Sequence, residues 1–253
     1  MSRNEQVFLT VRTGSKRLPK KCLLPFGENT VLEFVINRVK KAGFDPIICT
    51  STSSDDDVLE VLGKRINTKI FRGSLNNKVS RWLDCALQNN IEIFHTIDVD
   101  DPFFDPRQVE ESLNLLKNEN LDIVHPTLLS SLGSASVGYS IRTNAIKLEK
   151  NLIQTFAEIE MVDVLFHKLN NLKQKTLVTE FTDYPDIRLT LDYQEDYWLL
   201  LFILKQTGPE STRDDILNLF IRNPDLREFN LFRNNDWMVN QNLQRAEFEN
   251  TSV

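Results

Sequence analysis

Apolar runs and amphipathic segments alternate along the first half of the chain. Residues 7–11, "VFLTV", are apolar and β-branched with no turn former among them, the pattern of a buried strand. "TVLEFVINRVKKAG" then sets Leu32, Val35, Ile36 and Val39 on one face, with Thr30 and Glu33 spaced as a capping box and Gly43 placed to close the last turn, so it predicts a helix. The alternation continues with "PIICT" as a strand, "DDDVLEVLGKRI" as a helix, "TKIFRG" as a strand and "KVSRWLDCALQNN" as a helix. "IEIFHTIDV" follows as a strand, then a helix from about Pro106 to Lys117, then "LDIVHPT" as a strand. Strands separated by helices build βαβ units and a parallel sheet.

After Thr127 the pattern loosens. "LLSSLGSASVGYSIRT" is rich in Ser and Gly and reads as a loop or hairpin rather than a core strand; loops of that kind often shape a ligand site. "KTLVTEFT" and "IRLTLD" are strand expectations, and "QEDYWLLLFILKQTG" predicts a mostly buried helix ending near Gly208. "TRDDILNLFIRNPDL" predicts a last helix stopped by Asn223 and Pro224, before a polar tail. No repeat, low-complexity tract or linker interrupts the pattern, so the reading is one domain over residues 1–253.

Composition narrows the function classes. A net charge of −6 argues against a nucleic-acid binder, which needs a broad basic face. No run of about 18 apolar residues is present to span a bilayer, and the first residues lack the features of a signal peptide, so the expected location is cytoplasmic with no membrane partner. Cys22, Cys49 and Cys85 are odd in number and far apart, which fits reduced thiols better than disulfides or a zinc site.

Against that acidic balance, "VRTGSKRLPKK" places five cations, Arg12, Lys16, Arg17, Lys20 and Lys21, directly behind the first strand. Ligands of parallel α/β sheets bind beyond the carboxyl ends of the strands, where this loop falls. Gly14 and Ser15 allow the backbone to approach an anion, and the flanking cations can neutralise a polyphosphate. The spacing is neither a Walker A loop nor a GxGxxG fingerprint, and a solvated basic loop is the plain alternative. "DVDDP" gathers Asp98, Asp100 and Asp101 at the end of an apolar strand, where a hard cation such as Mg²⁺ would relieve their repulsion; an acidic helix cap is the alternative. "RLTLDYQED" puts Asp192 at the end of another expected strand, where it equally suits an N-cap. Cations for a triphosphate and carboxylates for a metal, all at strand ends, are what attack on a nucleotide α-phosphorus requires. His95, His125 and His167 have no metal-ligand spacing and read as core or surface residues, while Phe103, Phe104 and residues 197–202 read as core.

Four motifs in one order carry a resemblance: "VRTGSKRLPKKCLLPFG", "FRGSLNNKVSRW", "DVDDPFFDP" and "RLTLDYQEDYWLL". They resemble the cytidylyltransferases of surface-carbohydrate biosynthesis, which include the spore-coat polysaccharide F-type proteins and, more distantly, the synthetases of CMP-linked acidic sugars. The resemblance implies an α/β fold, a Rossmann-like three-layer α/β/α sandwich of the nucleotide-diphospho-sugar transferase type, together with CTP, Mg²⁺ and a homodimer. It implies that Arg12, Gly14, Ser15, Lys16, Arg17 and Lys21 surround the triphosphate, that Arg72, Ser80 and Arg81 help form the nucleotide site, and that Asp100 and Asp192 hold the metal. Lys21, Arg12 and Asp100 are then the catalytic candidates, with Lys21 nearest the α-phosphate. Lys20 has no assigned role.

Two departures stand out. Asp98 and Val99 occupy the place where many relatives carry Thr-Gly, and "SSLGSASVGYSIRT" with "TFAEIEMVDVLF" does not reproduce the family's acceptor-side pattern. With no histidine placed as a general base, the small anionic acceptor is favoured to attack through an already ionised oxygen, as a phosphorylated metabolite of capsule phosphoramidate synthesis would, while a metal-bound hydroxyl of an acidic 3-deoxy-ulosonate sugar stays open. The rival readings are a metal-dependent glycosyltransferase using "DVD" to hold a nucleotide sugar, and a non-catalytic nucleotide-binding protein.

Overall fold

The computed structural model describes residues 6–128, 133–156, 159, 161–169, 171–178 and 186–250. A seven-stranded sheet runs in the order β5-β4-β1-β6-β8-β7-β9. β1 (Gln6–Thr10) lies at its centre, parallel to β4 (Asp45–Ser51) and β6 (Ile93–Asp98), and β4 continues parallel to β5 (Lys69–Gly73). β8 (Ser140–Arg142) inserts antiparallel between β6 and β7 (Ile123–His125), and β9 (Gln174–Thr176) closes the far edge parallel to β7. A two-stranded ribbon, β2 (Pro25–Phe26) and β3 (Asn29–Thr30), precedes the first helix.

Side chains of β1 divide the interior. Val7 and Leu9 face a core shared with α1 (Val31–Lys41), α4 (Pro106–Asn118), α8 (Gln194–Thr207) and α9 (Arg213–Arg222). Phe8 faces a second core with α3 (Lys78–Gln88), α5 (Thr143–Leu148), α6 (Lys150–Thr155) and α7 (Val162–Lys168). The period-two alternation of a strand buried on both faces therefore produces the three layers. Each fully buried Leu, Ile, Val or Phe contributes about 1.5–3 kcal/mol. α2 (Asp57–Arg65) packs beside β5, and α10 (Arg233–Asn250) ends the described chain.

The expected elements as far as β7 are present, and the Thr30–Glu33 capping box forms with both of its hydrogen bonds, Glu33 N to Thr30 Oγ1 at 3.3 Å and Thr30 N to Glu33 Oε2 at 2.8 Å. Four expectations about the fold need correction. The Ser- and Gly-rich stretch read as a loop or hairpin rather than a core strand contains β8, which pairs antiparallel with β7 but lies inside the sheet, between β6 and β7. Its approach depends on Gly138, whose φ of +74° and whose position against the Thr96 carbonyl leave no room for a Cβ. Residues 187–192, read as a strand, lie outside the sheet: Leu189 N donates to Gly133 O and Leu191 N to Asp100 O, each at 2.7 Å. The helix stopped at Asn223 and Pro224 is not the last, because the polar tail forms α10. Of "KTLVTEFT", residues 179–182 lie outside the described residues. The helix at residues 194–207 leaves Trp198 57 % and Phe202 41 % exposed, so these two are surface rather than core residues.

Candidate active site

Beyond the carboxyl ends of β1 and β6 lies a cavity of about 400 Å³. The first loop contributes Arg12, Gly14, Ser15, Lys16, Arg17 and Lys21 to its walls, and Asp98, Asp100 and Asp192 reach it from two other segments. Asp56 fixes the loop at its start: Thr13 donates to Asp56 Oδ1 through both its amide and its hydroxyl, at 2.8 Å each. Ser51 donates its hydroxyl to the other Asp56 oxygen. The loop then folds back on itself, with Ser15 N at 2.9 Å and Lys20 N at 3.2 Å from Thr13 O. Lys20 takes a left-handed conformation, φ 55°, just before the single helical turn Lys21–Leu23. Its place at that turn, rather than its charge, is what the structure uses, and its side chain is exposed.

Lys21 is the centre of the cavity. Its Nζ donates to Asp100 Oδ2 at 2.6 Å, Leu191 O at 2.8 Å and Asp192 Oδ1 at 2.9 Å. Burial opposes the ammonium, but Asp100 and Asp192 outweigh that and hold Lys21 protonated well above the usual lysine range. Asp192 is buried too, a condition that would raise its pKa, yet Lys21 and Arg17 bring it down to about 2. Arg17 Nη2 lies 2.7 Å from Asp192 Oδ1, and the fully buried Arg188 donates to Asp192 Oδ2 at 3.2 Å and Asp196 Oδ1 at 2.9 Å. Asp196 in turn accepts from the amides of Asp192 and Tyr193 at 2.8 and 2.9 Å, which fixes the start of α8.

The three aspartates of "DVDDP" have separate surroundings. Asp98 pairs with Lys78 at 2.8 Å, at the first turn of α3. Asp100 pairs with Lys21. Asp101 points into the protein, where burial and the neighbouring Asp100 push its carboxyl well above the ordinary range while the Thr190 hydroxyl donates to it at 2.7 Å. Asp101 is therefore a structural residue, and the cavity's carboxylates are Asp98, Asp100 and Asp192.

Arg12 and Arg81 also line the cavity, and both reach the loop after β5: Arg12 Nη1 donates to Leu75 O at 2.7 Å and Arg81 Nη1 to Ser74 O at 2.6 Å. Arg72 and Ser80 are not brought to the cavity. Arg72 clamps the end of β4 to α2 through Ser51 O, Ser53 O, Asp57 and Glu60. Ser80 lies in the first turn of α3, where its amide is capped by Asn77. His95 is buried between Ser140 and Val137 O, its pKa lowered to about 4 by burial, so it is a neutral imidazole at neutral pH with both ring nitrogens engaged inside the protein. Cys22 touches the cavity, but burial raises its thiol to about 12.

Sequence reasoning missed Lys78, Arg188 and Asn240. Lys78 stands inside the quoted "NNKVSRW" yet faces the cavity only because helix α3 begins there. Arg188 stood inside the expected strand "IRLTLD" with no role assigned to it, and its part in the site appears only once that segment leaves the sheet.

Comparison with known proteins adds the chemistry class. The model of the family described as cytidylyltransferase matches residues 7–207. The chain belongs to the cytidylyltransferase family. It is a nucleotidyltransferase of the type represented by two further relatives. The spore coat polysaccharide biosynthesis protein SpsF of Bacillus subtilis is 26 % identical, over 88 % of this chain and 96 % of its own. A 3-deoxy-manno-octulosonate cytidylyltransferase of Rickettsia bellii is 26 % identical, over 64 % and 68 % respectively. The solved cytidylyltransferase of Leptospira borgpetersenii shares this cytidylyltransferase's fold with a TM-score of 0.78 at 23 % identity, covering 88 % of this chain and 96 % of its own. The expected Rossmann-like sandwich of the nucleotide-diphospho-sugar transferase type is thus the fold observed.

Proposed function

We propose that this cytidylyltransferase transfers CMP from CTP to a small anionic acceptor and releases pyrophosphate, in the synthesis of capsule or another surface polysaccharide. The observation that carries the reading is Lys21 held between Asp100 and Asp192 behind a cationic loop. Bound CTP lays its triphosphate along Gly14, Ser15, Lys16 and Arg17, where open space over Gly14 admits an anion to the backbone. Lys21 then sits at the α-phosphate and balances the charge that develops as the acceptor oxygen attacks and pyrophosphate leaves. The acceptor is a phosphorylated metabolite, whose ionised oxygen makes a histidine base unnecessary, or an acidic 3-deoxy-ulosonate sugar, whose attacking hydroxyl would need the activation that Mg²⁺ would supply. The enzyme works in the cytoplasm as a homodimer, without nucleic acid or membrane.

The residues present fit Mg²⁺. Oxygens of Asp100 and Asp192 converge on one cationic centre, now Lys21 Nζ, and Mg²⁺ takes one or two carboxylates together with phosphate oxygens and water. When bound there it supplies Lewis-acid charge to the phosphates. Calorimetric titration with CTP tests the reading: affinity should rise with Mg²⁺ and lose that rise in Asp100→Ala. Metal-independent binding unchanged in Asp100→Ala would instead favour a non-catalytic nucleotide-binding role.

A further inference from the structure

Helix α10 lies beyond the family match, which ends at residue 207, and yet it supplies Asn240 to the wall of the reaction cavity. The helix is fixed at its start by polar contacts. Arg233 donates to both oxygens of Glu195 on α8, at 3.2 and 2.8 Å, and Asn234 Oδ1 accepts from Arg188 at 3.2 Å. Just upstream, the fully buried Asn230 donates to Arg188 O at 3.0 Å and Asp196 Oδ1 at 2.9 Å. The same Arg188 holds Asp192, so the helix is tied to the carboxylate that Lys21 contacts.

The other link runs through Tyr193. Its ring carries Arg233 from α10 at 4.8 Å and Arg17 from the first loop at 5.2 Å. One aromatic ring thus joins the loop assigned to the triphosphate with the helix that brings Asn240 to the cavity. Farther along, Met238, Val239 and Leu243 are 43 %, 60 % and 60 % exposed, so core packing does not fix this part of the helix. Asn240 Nδ2 donates to Asp236 O at 2.7 Å on its own helix, which leaves the second N–H and Oδ1 for a ligand.

We propose that α10 is a cover over the triphosphate half of the cavity and that Asn240 is a nucleotide-contacting residue on it. The inference rests on the cytidylyltransferase reading. When CTP binds, Arg17 turns from Asp192 to the phosphates, the Tyr193 stack adjusts, and α10 closes until Asn240 donates its free N–H to a phosphate oxygen.

Two measurements with CTP and Mg²⁺ test this. In calorimetry, Asn240→Ala should weaken CTP by about ten- to a hundredfold, the worth of one hydrogen bond to a charged oxygen. Asn240→Asp should weaken it further through charge repulsion, and CMP, which lacks the outer phosphates, should bind both variants nearly as it binds the unmodified protein. Independently, Trp237 lies three residues before Asn240, on the same side of the helix, and Trp82 is buried, so Trp198→Phe makes Trp237 the reporter for acrylamide quenching. Saturating CTP should reduce that quenching, and Arg233→Ala should abolish the reduction. CTP binding equal in Asn240→Ala and unmodified protein, or Trp237 quenching unaltered by CTP, would overturn the assignment of α10. Failure of the unmodified protein to bind CTP at all would overturn the functional reading itself.

Discussion

Replacing Lys21 with methionine keeps a long apolar stem and deletes the ammonium that donates to Asp100, Asp192 and Leu191 O at 2.6–2.9 Å. Two consequences separate cleanly. On the proposed function, turnover loses the positive charge assigned to the reacting phosphate; removal of one such donor costs about 2.7–4 kcal/mol, or roughly 10²- to 10³-fold in kcat. Stability falls less, because Asp192 keeps Arg17 and Arg188, and Asp100, whose side chain is 28 % exposed, can take water. A loss of about 1–2 kcal/mol corresponds to a Tm lower by roughly 2–8 °C for a chain of this size. A third effect has the opposite sign: with their resident counter-ion gone, Asp100 and Asp192 should bind Mg²⁺ or Mn²⁺ more tightly in the absence of nucleotide, readable by calorimetry or by the EPR signal of free Mn²⁺. Steady-state pyrophosphate release and thermal melts complete the assay. A folded Lys21→Met protein with unchanged kcat, or with weaker metal binding than the unmodified protein, would refute the reasoning.

Asp56 tests the anchoring of the first loop. Burial would raise its pKa, but hydrogen bonds from Ser51 and Thr13 lower it. Its stabilisation is therefore complete above the ordinary aspartate range near pH 4, and is lost as pH falls through the lower folded value. Asp56→Asn should show a shallower loss of stability below about pH 4 than the unmodified protein, and a higher KM for CTP at neutral pH; identical acid melts would contradict this. Gly138→Ala should prevent folding or lower the Tm steeply, since its Cβ would overlap the Thr96 carbonyl, and a melt within a degree of the unmodified protein would show that β8 can shift. Arg188→Met should destabilise by about 3–5 kcal/mol by leaving Asp192 and Asp196 short of a buried partner, with a denaturant midpoint as the measure. Arg72→Ala should reduce stability while leaving CTP affinity within about twofold, because Arg72 braces β4 against α2 away from the cavity.

How much of this was legible in the sequence follows from which interactions are local. The βαβ elements as far as β7 carry their own signals, such as the Thr30–Glu33 box and the single apolar face of α1, and they form where expected. β8 was hidden because a three-residue strand between two neighbours needs little apolar length, and its preceding Ser and Gly residues look like a loop. Residues 187–192 show the converse: their alternation is strand-like, but Gly133 O and Asp100 O take their amides instead of a neighbouring strand. The loop cations and two of the cavity's aspartates, Asp100 and Asp192, were readable as chemistry, since like charges gathered at strand ends need a counter-charge. Their partition was not readable: only the packed structure separates Asp100 on Lys21 from Asp98 on Lys78 and from the buried Asp101. Asn240 reaches the cavity from the last helix with no local pattern to announce it, and Arg188, though only four residues from Asp192, is held in place by Asn230 and Asn234 from far along the chain.

The central claim is that Lys21, Asp100 and Asp192 serve cytidylyl transfer, and a screen of small acids and phosphorylated metabolites with CTP and Mg²⁺ tests it most directly. Mass spectrometry of each mixture should find one CMP-linked product appearing in step with pyrophosphate, and Lys21→Met should form it at least about 10²-fold more slowly. Transfer from a nucleotide sugar with no pyrophosphate from CTP, or equal rates in the variant, would contradict the account.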